Sequence, residues 1–197
     1  MKKWYRATLI TAIWLACDLI ASPAGSDQRF EYRVLATKKT STMEKELNAA
    51  GTEGFRFEDV MGGNTGWGGS EAVVVVSRER GVEKRSTFEY KLMATRKTST
   101  MQKEMQEAAA EGFGYRGQTV FETTFGGKEV VVIMERDSEA RPERHEYKLL
   151  ATSKTSTMQK ELIEAGEAGF RFVGMTVAET ALGGRELVTI LRRDAVR

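Results

Sequence analysis

One passage is written three times along the chain: EYRVLATKKTSTMEKEL from Glu31, EYKLMATRKTSTMQKEM from Glu89 and EYKLLATSKTSTMQKEL from Glu146. Each copy is followed by a Gly-Phe pair and then by a Gly-Gly pair. Tyr32, Tyr90 and Tyr147 recur at spacings of 58 and 57 residues. That period exceeds most solenoid repeats and suits a small domain. The chain therefore reads as a minidomain copied in tandem, with repeats over 29–80, 87–137 and 144–194 joined by charged linkers, the second of which contains Pro142.

The third copy shows how the unit folds. His145 to Thr152 alternates Tyr147, Leu149 and Ala151 with charged and mixed residues, which predicts a first strand. Ser156 and Gln159 have capping-box spacing, as do Ser41 with Glu44 and Ser99 with Gln102, so a helix is expected to start there. Met158, Leu162 and Ala165 then form one apolar stripe. Gly169-Phe170, like Gly54-Phe55 and Gly112-Phe113, fits a left-handed glycine just past the helix with an apolar residue packing back. A second strand follows, and Gly183-Gly184 turns the chain into a third.

The predicted fold is α+β: three tandem β-α-β-β minidomains, each a small sheet with one covering helix. The third strand is expected antiparallel to its hairpin partner; the strand order stays open, and a place between the first two is one option. Third strands such as Val73–Val76 and Val130–Met134 are apolar on both sides. A strand of that kind needs cover on both faces, so the second face is expected to pack against a sister unit or another molecule.

The first 24 residues stand outside the repeats and read as a secretory signal peptide. Lys2, Lys3 and Arg6 precede an apolar run from Ala7 to Cys17, and Ser22 and Ala24 supply small residues for cleavage. The run is too short to remain as a membrane span. Cleavage after Ala24 would release the chain to the periplasm or medium; alternatively, Trp-Leu-Ala-Cys resembles a lipobox and Cys17 would carry a lipid anchor. The segment holds three basic residues and one acidic residue of the chain's 30 and 28, so the rest carries 27 of each sign. Zero net charge argues against nucleic acid as partner. Cys17 is the only cysteine, so the exported part has no disulfide or thiolate chemistry. Units of this size bury little surface alone, so contacts between units, or between copies of the chain, are expected to matter.

Taken together, Glu-Tyr-Lys followed by two apolar residues, the Lys-Glu-Leu helix, the Gly-Phe stop and the hairpin ending in Arg resemble a short bacterial domain of unknown function. Gly51-Thr52-Glu53-Gly54-Phe55 is the nearest match, with Phe55 where that family has Trp. The resemblance extends over all three copies and implies a fold. It carries no catalytic or binding residue.

The densest identity is the stretch from Lys39, Lys97 and Lys154 through Thr-Ser-Thr-Met. A lysine and hydroxyl residues at a helix N-terminus form the arrangement that receives phosphate, sulfate or carboxylate. The candidate anion-binding residues are Lys39, Thr40 and Ser41, with Lys97, Thr98 and Ser99, and Lys154, Thr155 and Ser156. Without glycines the loop cannot wrap a triphosphate, and the cap and stripe account for much of the identity. Trp67, in the first copy's loop, is a candidate partner contact. Arg78, Arg136 and Arg193 mark strand ends, while Glu71, Glu129 and Glu186 are expected to pair across their hairpins. His145 reads as a surface residue at a strand start. No zinc ligand set and no Ser-His-acid set recurs, so neither a metal nor another cofactor is expected. The expectation is an exported, non-enzymatic binding or envelope-associated structural module with a protein or glycan partner, or else a binder of small anions or acidic glycans.

Overall fold

A computed structural model describes residues 29–65, 69–82, 86–122, 128–142, 144–179 and 184–195. The expected signal peptide and Trp67 lie outside them. The first unit contains β1 (Phe30–Thr37), α1 (Thr40–Thr52), β2 (Arg56–Thr65) and β3 (Gly69–Glu79). The second contains β4 (Phe88–Thr95), α2 (Thr98–Ala110), β5 (Gly114–Glu122) and β6 (Lys128–Asp137). The third contains β7 (His145–Thr152), α3 (Thr155–Glu167), β8 (Arg171–Glu179) and β9 (Arg185–Asp194). The fold is α+β, with three antiparallel three-stranded sheets ordered β1-β3-β2, β4-β6-β5 and β7-β9-β8. Each hairpin's last strand lies in the middle, and a bulge follows Phe57, Tyr115 and Phe172.

Each helix ends as its glycine dictates. Gly54, Gly112 and Gly169 have φ of 81°, 91° and 82°. Phe55, Phe113 and Phe170 donate their N–H groups to Ala50, Ala108 and Ala165, each at 3.0 Å. This is a Schellman closure, and it folds the phenylalanine back under the helix.

The helix starts differ from the capping-box expectation. The residues before the first turn are Lys39, Lys97 and Lys154, in extended conformation, and none caps the turn through its side chain. Ser41, Ser99 and Ser156 are already helical. The turn forms earlier because Thr37, Thr95 and Thr152 accept the N–H of the lysine two residues on, at 3.3, 3.1 and 3.2 Å. These hydroxyl turns bend the chain into the helix before the serine is reached.

The units share their cores. Met43, Leu47 and Phe55 of the first unit pack in one cluster with Phe88, Tyr90 and Ile133 of the second. Met101, Met105 and Phe113 of the second pack with Tyr147, Leu149 and Ile190 of the third. Along β6, Val132 and Met134 face the unit's own helix while Val131 and Ile133 face the first unit. Burial on both faces explains the unbroken apolar run. His145 is part of this junction. At 5 % exposure it is buried, with Nδ1 3.2 Å from Asp194 Oδ1. It occupies the position of Phe88, so the surface reading of this residue is corrected.

Candidate functional site

The structure keeps the three predicted anion mouths apart, one at each helix start. Lys39, Lys97 and Lys154 are exposed, and so are Ser41, Ser99 and Ser156. Thr40 and Thr98 are half-buried, whereas Thr155 is exposed. Beside Lys39 and Thr40 lies an apolar cavity of about 10 Å³, lined also by Met43, Leu92 and Val131. It has room for about one water and none for a ligand.

The phenylalanines of the helix stops sit in a recurring clasp. Arg78, Arg136 and Arg193 lie over Phe55, Phe113 and Phe170 at 4.3, 4.7 and 4.5 Å from the ring centres. Each arginine donates to the last helical turn's end, at Glu53 O, Glu111 O and Ala168 O (3.1, 3.0 and 3.0 Å). Each also pairs with the first strand's glutamate: Glu31 at 2.8 Å, Glu89 at 2.6 Å and Glu146 at 2.5 Å. A cation on helix C-terminal carbonyls is favourable there, and the ring adds cation–π attraction. Arg33 and Lys91 cover the other side of Phe55 and Phe113. Bonding to them lowers the pKa of Glu53 and Glu111. Across the hairpins the glutamates after the Gly-Gly turns stand opposite uncharged residues. Register sets Gly63, Phe121 and Ala178 opposite Glu71, Glu129 and Glu186, and Glu129 lies 3.8 Å from Arg96 instead.

The junctions hold the chemistry that identity between copies did not reveal. β4 and β7 are edge strands whose outer backbone groups need partners. The Asn48 amide takes the place of a neighbouring peptide group. Its Oδ1 accepts from Tyr90 N and its Nδ2 donates to Tyr90 O, both at 3.0 Å. Gln106 does the same on β7, accepting from Tyr147 N at 3.0 Å and donating to His145 O at 3.1 Å. Gln102, expected in a capping box, instead accepts from Leu149 N at 2.9 Å. Two of the recurring tyrosines reach back across the same junctions. Tyr90 Oη accepts from Phe57 N at 2.9 Å and Tyr147 Oη from Tyr115 N at 2.7 Å.

At the first junction a carboxylate is enclosed. Glu135 receives Arg56 Nε at 3.0 Å, Arg116 Nε at 2.8 Å and the Tyr90 hydroxyl at 3.0 Å. Burial raises its pKa, against the pull of Arg56. Burial and the Glu135 charge raise Tyr90, and burial pushes Tyr115 up to about 12. Glu135 itself is closed off from solvent, while the two arginines that hold it are partly exposed.

An open cleft beside the third unit gathers Arg141, Arg144, Arg171, Arg192 and Arg193 around Asp194. Among the described residues, no three His, Cys, Asp or Glu side chains are placed to hold a metal, and no helix is long and apolar enough to cross a membrane. No family model matches the chain, and neither the curated proteins nor the solved structures yield a match.

Proposed function

We propose that this chain is an exported, non-enzymatic bacterial protein of three tandem βαββ units, serving as a binding or envelope-associated structural module. One observation carries the reading: the glutamate, arginine, phenylalanine, glycine and tyrosine that recur in all copies are committed to architecture. The glutamate, phenylalanine and arginine close the helix, the glycine stops it, and the tyrosine joins units wherever a preceding unit exists. Export rests on the pattern from Met1 to Ala24, with a lipid anchor at Cys17 as the alternative. Mass measurement of the N-terminus together with cell fractionation tests it. A chain beginning at Gly25, or an acylated Cys17 in the membrane fraction, agrees; an intact Met1 in the cytosol overturns it.

A second reading is an anion or acidic-glycan binder at the three helix mouths. It is favoured by the absence of any side-chain cap at Lys39, Lys97 and Lys154, which leaves first-turn N–H groups facing outward beside a cation. Changing all three lysines to Gln should abolish any sulfate- or phosphate-dependent rise in melting temperature. A rise that survives the change removes this reading.

A further inference from the structure

We propose that copies of this chain associate head to tail, with the third unit of one copy seated on the first unit of the next through the contact that already joins units within the chain. The two ends expose the two halves of that contact. On the first unit, Phe30, Tyr32 and Val34 of β1 and Met61 of β2 are open. The counterparts of the β1 residues on β4 and β7 are covered by the preceding unit, and Thr119 of β5, in the place of Met61, is buried. Tyr32 is 65 % exposed, whereas Tyr90 and Tyr147 are 2 % and 4 % exposed. On the third unit, Ile163, Phe172, Met175 and Val177 are open. Phe172 holds the place of Phe57 and Tyr115, which the following unit engages. Single exposed apolar side chains need no explanation, but two complementary faces at opposite ends of one repeated interface do.

Three further details fit a second copy. Gly51 lets α1 approach β4 so closely that an added Cβ would lie 2.1 Å from Phe88 O. Ala109 keeps that position small in α2, and Gly166 keeps it small in α3, where nothing lies within 4 Å. Gly166 sits in the last turn of α3, where alanine is the better helix former and nothing local excludes a methyl group. The charges also match. Arg56 of the first unit meets Glu135 of the second, and its counterpart in the third unit is the exposed Arg171. The corresponding spot on the first unit is Ser77, whose hydroxyl holds the Glu58 carboxylate at 2.5 Å. Arg171 of one copy is therefore presented to Glu58 of the next. Finally, Tyr32 keeps the hydroxyl that, in Tyr90 and Tyr147, accepts a backbone N–H from the unit before; its donor in the next copy is Phe172 N–H.

The junction between copies is weaker than those inside. Ile163 stands where Asn48 and Gln106 supply the amide bridge, and Asp59 stands where Gly117 and Gly174 give Phe57 and Tyr115 room. An association of this kind is heterologous and extends or closes into a ring. It is independent of export and of the anion mouths.

Sedimentation velocity on protein purified from cells expressing the full sequence tests it. Wild type should form a concentration-dependent series. Tyr32→Lys and Phe172→Lys should each be monomeric, and neither should lower the melting temperature of the dilute protein. An equimolar mixture of the two variants should form dimers and stop there, because one intact head meets one intact tail. Wild type that stays monomeric up to millimolar concentration overturns the proposal. So does association lost in only one variant, which means a face pairing with itself. A lowered melting temperature in dilute Tyr32→Lys also overturns it, because the face is then covered from within the chain.

Discussion

Substituting the three recurring tyrosines with phenylalanine, one at a time, should give three different results from one chemical change. In Tyr90→Phe the buried Phe57 N–H loses its acceptor and Glu135 loses one of its donors. A buried donor left unsatisfied costs ~1–3 kcal/mol and a lost bond to a charged group adds to it, so the expected loss is about 3 kcal/mol. For a chain of this size that lowers the melting temperature by roughly 6–12 °C. In Tyr147→Phe the half-buried Tyr115 N–H loses its acceptor, and about 1–2 kcal/mol is expected. Tyr32 is exposed, so Tyr32→Phe in dilute solution should change stability by less than about 0.5 kcal/mol. Urea unfolding followed by circular dichroism, at concentrations where the wild type is monomeric, reads all three. Equal losses at the three sites would refute the reasoning, because they would show that the tyrosine serves its own unit rather than the junction before it.

Gly112→Val should cost about 2–4 kcal/mol, since φ is 91° and a Cβ there would lie 2.8 Å from Pro142 Cβ; an unchanged melting temperature would contradict the left-handed helix stop. Gly51→Ala and Gly166→Ala should have opposite signs in thermal melts of the dilute protein. The first drives a methyl into the Phe88 carbonyl, and the second should stabilise by about 0.5–1 kcal/mol through helix propensity alone. Glu135 gives a pH dependence whose sign follows from its raised pKa. The folded state holds the proton more tightly than the unfolded chain, so the group's contribution is greatest below the ordinary carboxylate range and falls as pH rises through the raised value. The stability of wild type relative to Glu135→Gln should therefore decline as pH rises above the ordinary carboxylate range in urea titrations, and a relative gain would reverse the assignment. Glu53 and Glu111, whose lowered values act in the opposite sense, are present in both proteins and cancel.

Local features were legible in the sequence where one residue type has one use. The glycine at positive φ and the period-two strands belong to this class. The helix start was misplaced because Thr37, Thr95 and Thr152 form a hydroxyl turn that competes with the serine cap, and both use the same residue types. The clasp was legible as opposite charges in every copy: Glu31, Glu89 and Glu146 near the start of the first strand and Arg78, Arg136 and Arg193 near the end of the third, which an antiparallel pairing sets side by side. The junctions were hidden for the opposite reason. Asn48 and Gln106 differ between copies and Ile163 replaces them at the end, so a search for identity passes over them. His145 misled because its chemistry is polar while its position, shared with Phe88, is apolar.

The units form one continuous stack, with cores that cross both junctions. Native-state hydrogen exchange tests it most directly, because it reads the opening free energy of each central strand separately. The slowest amides of β3, β6 and β9 should exchange with one common opening free energy and shift together in Tyr90→Phe. Three distinct free energies, with Tyr90→Phe affecting β6 alone, would show independent minidomains on a string and contradict the account.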